Sequence, residues 1–265
     1  TDSKIVGKHI KIGKPLAVYE MVEAQLESYY TERRIESSEA DKGHATDIVT
    51  GRAAVANGRR SVAVATNERS IAKASNIEGV AAATGPKGIA FADGYTGIAC
   101  STGYHGIACA NGDNGIAATA CVNGTAICSD EHSIAAATSV QSAAIADGPY
   151  DVAVVNGRAS IARANGRCDV AVASGSNAVA VANGEKSVAV ATCYGGAVKG
   201  KLGCALVLIE RSGIDALDPQ SIKAVKAVIV DGKTVKADTW YTLYNGELKE
   251  QPDDYDKKYT DRRRA

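Results

Sequence analysis

Large apolar side chains are scarce in this chain. Its 265 residues include one Phe, one Trp and one Met, whereas Gly alone contributes 27 residues and Ala is abundant. A core packed mainly from Leu and Phe is therefore excluded, and the length allows one large domain or two ordinary ones.

The chain also lacks a net charge and a long hydrophobic run. Thirty basic and thirty acidic side chains balance, which removes the positive surface expected of a general nucleic-acid binder. No apolar run approaches the ~20 residues of a membrane span, and the first residues carry no signal-peptide pattern. Because the chain starts at Thr1, a removed leader stays an open alternative. Assembly in the cytoplasm is the favoured expectation, with a virion or a cell surface as the other locations.

The seven cysteines show neither an even count nor paired C-x-x-C spacing. Disulfide frameworks and zinc sites depend on such patterns. We therefore interpret the cysteines as small buried apolar residues in a reducing compartment.

A nine-residue repeat fills the middle of the chain. Sixteen consecutive units in one phase run from Arg52 to Gly195, as in GIACSTGYH followed by GIACANGDN. The third position is Ala in all sixteen units, the second is Val or Ile in thirteen, and the fifth is Ala in twelve. Four strand-forming residues followed by a five-residue turn with Gly, in which we expect that Gly to need positive φ, indicate a short strand and a corner.

Units of fixed period that contain one strand each stack as a parallel β-solenoid. Nine residues cannot enclose a core, so we predict a two-sheet β-roll with about 18 residues per coil. Large residues at the fourth position of one series of units match small ones of the other series, as Phe91 does with Ala82 and Cys100. This matching predicts that positions two and four point inward. Lys73 and Arg163 also occupy fourth positions, so the reverse arrangement, with the Ala face inward, stays open.

With positions two and four inside, Ala-rich outer faces would cover both sides of the roll. A flat apolar surface of that extent usually marks an interface. We therefore expect a homo-oligomer, with a trimer favoured.

The repeats SVAVATNER and NAVAVANGEKSVAVATCYG resemble those of the head domains of trimeric autotransporter adhesins. The resemblance covers the repeat region and implies a parallel β-roll that assembles as a trimer. The period is shorter here, and Ala replaces Gly after the strand. Together with GKLGCALVLIERSG and ADTWYTLYNGEL, the repeats also resemble uncharacterised proteins of phages and gut bacteria, which implies no function.

Four regions follow from these patterns. Residues 1–51 form an N-terminal segment with an amphipathic helix over Pro15–Ile35, predicted to cap the first coil. Residues 52–195 form the roll. Residues 196–250, with Asp231-Gly232 and Asn245-Gly246 as hairpin turns, form a small C-terminal antiparallel meander that acts as a cap. Residues 251–265 form a charged tail.

The sequence favours no catalytic, cofactor-binding or metal-binding residue. Calcium-binding nonapeptides need a carboxylate in each turn, whereas Thr or Asn usually fills that place here. The His and Cys residues have no partner motif for base or nucleophile chemistry. We therefore expect no enzyme and no cofactor.

Aromatic residues supply the candidate partner-binding positions. Trp240, Tyr241 and Tyr244 form either the core of the meander, which is favoured, or a recognition patch. Tyr95 and Tyr104 lie at corners of the roll. We predict a non-enzymatic structural or binding protein, an oligomeric rod of adhesin-head or phage-fibre type with a protein or glycan receptor as its partner. The alternative is a soluble phage or bacterial accessory protein that binds and blocks a host factor or a small molecule.

Overall fold

The described part of the chain is built from β-strands alone. The computed structural model describes residues 38–40, 44–47, 53–212 and 222–255. These residues form a parallel β-solenoid of about nine turns, with some 18 residues per coil. The all-β class, the solenoid and the coil length are therefore confirmed. The helix predicted for Pro15–Ile35 lies outside the described residues.

Twenty strands form the solenoid, and most contain four residues. They are β1 (Ser38–Ala40), β2 (His44–Asp47), β3 (Ala53–Ala56), β4 (Val62–Ala65), β5 (Ile71–Ser75), β6 (Val80–Ala83), β7 (Ile89–Asp93), β8 (Ile98–Ser101), β9 (Ile107–Ala110), β10 (Ile116–Thr119), β11 (Thr125–Cys128), β12 (Ile134–Ala137), β13 (Ala143–Ala146), β14 (Val152–Val155), β15 (Ile161–Ala164), β16 (Val170–Ala173), β17 (Val179–Ala182), β18 (Val188–Ala191), β19 (Ala197–Gly200) and β20 (Ala205–Arg211). Three more follow: β21 (Ile222–Ile229), β22 (Trp240–Tyr244) and β23 (Glu247–Gln251).

Successive strands alternate between two sheets. Sheet 1 contains the odd-numbered strands β1 to β19 followed by β22 and β23, and sheet 2 contains the even-numbered strands β2 to β20 followed by β21. Residues 18 apart are partners throughout the repeats, as Ile98 and Ile116 are in sheet 2. The parallel ladder also continues beyond the repeats, because β1 pairs with β3 and β20 pairs with β18.

The predicted orientation of the strands is wrong. Positions three and five point inward: Ala54 and Ala56 are fully buried, and so are their counterparts along both sheets. Positions two and four, including Ile107, face outward. Because neighbouring side chains of a strand point to opposite faces, only one of the two sets can be inside. Corners of five residues hold the sheets so close that Ala methyls fill the interior.

The fourth-position residues Phe91 and Ala82 therefore lie on opposite outer faces of the roll, and Lys73 and Arg163 reach solvent from an outer face.

Each corner is a tight turn with its ninth-position residue in the left-handed region, and the corner that contains Glu78 has Asn76 there as well. The ninth residue of all sixteen units has φ between 55° and 65°, and only Gly195 among them is glycine. The turn is closed by a backbone hydrogen bond such as Gly106 N to Gly103 O at 2.8 Å. The seventh-position glycines do not take positive φ, contrary to the sequence-based expectation. They are needed for close approach, since a Cβ on Gly103 would lie 1.8 Å from the carbonyl oxygen of Gly85 in the preceding coil.

The C-terminal strands extend the two sheets rather than forming a separate meander. The strand β21 runs antiparallel to β20 in sheet 2, and the β22–β23 hairpin adds to β19 in sheet 1. Asn245-Gly246 forms the predicted hairpin turn, with positive φ at both residues. Asp231-Gly232 instead connects the two sheets, and the Asp231 side chain accepts three backbone N–H bonds there.

Larger side chains close this end of the interior. Leu206, Leu208, Val230 and Tyr241 are buried and belong to the same core cluster as the alanines. The Ala-filled interior therefore ends in larger apolar side chains at this end of the roll.

Candidate functional site

The outer face of sheet 2 is a long apolar surface. The even-numbered strands β4 to β18 place Val or Ile at the second position of each unit and Val, Ala or Cys at the fourth position. The second-position side chains are half-buried or exposed, up to 38% for Ile116 and 41% for Ile134. Because the strands stack in regular register, this face is long and flat. Its side chains are uncharged in each of these strands. Such a surface can bind another flat apolar surface.

The corner tyrosines do not form one binding site. Tyr95 follows a strand of sheet 1 and Tyr104 follows a strand of sheet 2, so the two rings lie on opposite edges of the roll. Both are exposed. Tyr104 packs edge-on against the ring of His105 at 4.1 Å between centroids, and its hydroxyl accepts a hydrogen bond from Asn123 in the next coil. Each edge therefore presents its own row of side chains.

A second aromatic stack lies on the edge that carries Tyr95. The Tyr150 ring stacks on His132 with 5.3 Å between centroids and 10° between planes, and Arg167 donates to its hydroxyl. Side chains 18 residues apart thus build ladders along the corners.

The structure separates the C-terminal aromatics. Trp240 and Tyr241 are buried, whereas Tyr244 is 62% exposed. Trp240 packs on Val179 and Val181 of sheet 1, and the Tyr241 hydroxyl accepts a hydrogen bond from Lys236 N at 2.8 Å. Of this group, only Tyr244 is accessible to a partner.

Tyr244 borders a cleft between the last corner and the C-terminal strands. The cleft has a volume of about 480 Å³, and Tyr194, Arg211 and Lys223 also line it. Glu210 lies at its base, where the carboxylate accepts hydrogen bonds from the Asn245 and Gly246 backbone N–H groups at 3.0 and 2.8 Å. Glu210 therefore fixes the hairpin turn, while the tyrosines and Lys223 give the cleft a mixed aromatic and cationic lining.

Sequence reasoning missed a polar column inside the roll. In the units that contain the sheet 2 strands, the first residue comes directly before the strand. Four of these residues are fully buried polar side chains: Ser133, Asp151, Asp169 and Ser187. Asp151 accepts hydrogen bonds from Ser133 N at 2.6 Å and Gly148 N at 3.1 Å. Asp169 accepts from Asp151 N at 2.9 Å and Gly166 N at 2.7 Å. The first position in the repeat is Gly, Ser or Asp in fourteen of the sixteen units, and this restriction is the signal that the sequence offers.

Burial dominates the electrostatics of the column. It raises the pKa of Asp151 to about 6 and that of Asp169 to about 7, although backbone N–H donors oppose the shift. These carboxyls are closed off from solvent, so their role is structural.

Burial works against the activation of three thiols. Burial raises the pKa of Cys100 and Cys121, and it raises that of Cys193 to about 11. A nucleophilic cysteine needs a lowered pKa. Over residues 53–212 and 222–255, no cluster of three or more His, Cys, Asp or Glu side chains has the arrangement of a metal site.

No family model matches the sequence, and neither a curated protein nor a solved structure matches it. Within the described ranges, no helix has the length and apolar character needed to cross a membrane.

Proposed function

We propose that this chain is a non-enzymatic structural or binding protein that self-associates into an oligomeric rod. The observation that carries the proposal is the flat, uncharged outer face of sheet 2, with Ile116 and Ile134 exposed at its centre. Apolar patches of several hundred Å² on protein surfaces commonly serve as interfaces.

The dimensions of this face are adequate for a stable contact. A stack of eight coils is about 38 Å long, and a four-residue strand is about 13 Å wide. Face-to-face packing of two copies would bury ~1,000 Å² in total, which is near the lower limit for a specific interface. One flat face pairs with one other face, so a dimer is the simplest closed arrangement, and a trimer requires contacts from the edges as well.

The test is sedimentation velocity at micromolar concentration. Replacing Ile116 and Ile134 together by Lys places two charges on the face and should dissociate the oligomer while the circular dichroism spectrum of the folded roll is kept. The matched control replaces Asn114 and Gln141 by Lys, because Lys87 and Lys186 already occupy the equivalent ninth positions. Dissociation by the control variant, or a monomeric wild-type protein, would contradict the proposal.

The C-terminal cleft favours a second function, in which the chain is an accessory protein that binds and blocks a host factor or a small molecule. Tyr244 and Lys223 are exposed side chains that border the cleft. A ligand that raises the thermal midpoint of the wild type, but not that of Lys223→Ala with Tyr244→Ala, would support this function. An equal shift in the variant would exclude the cleft as the binding site.

A further inference from the structure

Strand β21 is the last strand of sheet 2. It contains eight residues and runs antiparallel to β20, and none of the other described strands pairs with its opposite edge. The strands at the other three ends of the two sheets differ from it. Strands β1 and β2 have three and four residues, and β23, with the sequence ELKEQ, carries three charged side chains. Short length and charge protect a sheet edge against further pairing. Strand β21, with the sequence IKAVKAVI, is longer and mainly apolar, so its edge suits pairing with another strand.

The direction of the backbone groups along this edge follows from the ladder with β20. Directly after β21, Val230 donates its N–H to the carbonyl oxygen of Cys204, directly before β20, at 2.9 Å. In an antiparallel ladder, every second residue points its N–H and C=O groups to the same neighbouring strand. The backbone groups of Val225, Ala227 and Ile229 therefore point away from β20, where an added strand can bond to them.

The same three residues also present their side chains to solvent. Val225 is 63% exposed and Ile229 is 66% exposed, and Ala227 between them is exposed as well. Val228, on the other side of the strand, packs against the core of the roll. An added strand would therefore place alternate side chains beside Val225 and Ile229 and remove apolar surface from water.

Charge distinguishes the kinds of strand that fit. Lys223 and Lys226 are the charged residues of β21, and neither forms an ion pair with a described residue. The Glu247 carboxylate interacts electrostatically with Lys226, but it is bound by the Lys249 ammonium at 2.8 Å. Pairing with β21 of a second copy would bring four lysines to one seam, which is unfavourable. Carboxylates of an acidic strand would be attracted to the same lysines.

We propose that the edge of β21 binds an extended acidic segment of a partner protein, which adds to sheet 2 as a strand antiparallel to β21. Antiparallel pairing is the slightly more stable arrangement. In recognition of this kind, backbone hydrogen bonds supply affinity and alternate side chains supply specificity. The partner segment has β-branched apolar residues at every second position and carboxylates opposite Lys223 and Lys226. This edge lies at the end of the roll, away from Ile116 and Ile134, so the site is separate from the face proposed for self-association.

The probe is the fluorescein-labelled peptide Val-Thr-Val-Glu-Val-Thr-Glu, designed to place its valines opposite Ile229, Ala227 and Val225 and its glutamates opposite Lys226 and Lys223. Fluorescence anisotropy with the full chain should show saturable binding. The peptide with Lys in place of both Glu residues should bind at least about tenfold more weakly, because it adds like charges to the seam. Methylation of the three valine nitrogens removes the donors that face β21 and should abolish binding. Methylation of both threonine nitrogens and the first glutamate nitrogen adds as many methyl groups on the side that points away, and binding should be kept.

Variants of the protein test the same edge from the other side. Ala227→Pro removes an N–H group that points away from β20, so the fold should be kept while peptide binding weakens at least about tenfold. Ala227→Thr keeps this N–H group and should bind the peptide as the wild type does. Ile116→Lys with Ile134→Lys should also bind it equally, which separates this site from the outer face of sheet 2.

Three results would overturn the proposal: no saturable binding, equal binding of the valine-methylated peptide, or unchanged binding by a folded Ala227→Pro variant. A wild-type dimer that Ala227→Pro dissociates in sedimentation would identify a second copy as the occupant of the edge instead. If the circular dichroism spectrum shows that Ala227→Pro does not fold, the two methylated peptides on the wild-type chain decide between the outcomes.

Discussion

Neighbouring residues of one strand differ in the side-chain size that the roll accepts, because one points inward and the next points outward. Ala135 is fully buried between the sheets, whereas Ala136 lies on the outer face of sheet 2, where Val154 is its partner in the next coil. Replacing Ala135 by Val should lower the free energy of unfolding by about 1–3 kcal/mol, because the narrow interior has no room for two more methyl groups.

Ala136→Val is the matched control, and it should be close to neutral. Urea denaturation of the two variants measures the difference. The reverse order of stability would mean that the assigned faces are exchanged.

The buried carboxyls predict a stability that depends on pH. Asp151 and Asp169 have a raised pKa, about 6 and about 7, so the folded state holds their protons more tightly than the unfolded state, where an Asp titrates near 3.9. Their effect on stability is most favourable below about pH 4, and it is lost as the pH rises towards 7. Asp147 and Cys128 are the neighbouring titratable groups.

Serine is the natural replacement, because Ser187 accepts a hydrogen bond from Asp169 N at 3.1 Å in the same column. Asp151→Ser combined with Asp169→Ser should raise stability at pH 8 relative to wild type, by on the order of 2 kcal/mol, and flatten the profile between pH 4 and 8. Urea midpoints across this range provide the measurement. An unchanged profile would show that other groups control it.

Among the elements, the β22–β23 hairpin depends on one buried ring. Trp240 is 1% exposed and fills the contact with Val179 and Val181. Trp240→Ala should cost about 3–5 kcal/mol of stability, whereas Tyr244→Ala, at an exposed position of the same strand, should cost little. Thermal unfolding compares them. Equal effects would show that the hairpin does not dock through Trp240.

The elements themselves could be predicted from the nonapeptide pattern, but their orientation could not. Strand periodicity distinguishes two faces and does not say which one is inside when both are apolar. With Ala at position three and Val or Ile at position two, either face of the strand is apolar enough to lie inside. The burial of Ala54 and Ala63 shows that the face of position three is the inner one. The sequence predicts antiparallel strands at the C-terminus, but Asp231-Gly232 does not reveal that the chain changes sheets there. The difference in exposure between the two outer faces depends on long-range contacts, which leave no local signal.

One coil of the roll, 18 residues with one strand in each sheet, is the smallest unit of this protein that can be removed without moving later strands to the other sheet. Deleting residues 115–132 removes β10 and β11 together and leaves every later strand in its own sheet. The shortened protein should fold, with a roll about 4.8 Å shorter. Deleting 115–123 alone moves every later strand to the opposite sheet, which exchanges the two outer faces beyond that point and should abolish cooperative unfolding.

Circular dichroism melts and small-angle scattering distinguish the two deletions. A folded protein with the nine-residue deletion would show that the two outer faces are interchangeable.

Most side chains between the two sheets are alanine, which has no rotamers. Ala has no side-chain torsion to fix, so ordering the buried residues costs no side-chain conformational entropy, whereas a buried Leu or Ile costs about 0.5–1 kcal/mol. The conformational entropy that these buried residues lose on folding is therefore that of the backbone. The same ladder of backbone hydrogen bonds orders the backbone in each coil. The shape of the roll is therefore specified by main-chain geometry, and side chains outside and at the corners are free to vary from coil to coil.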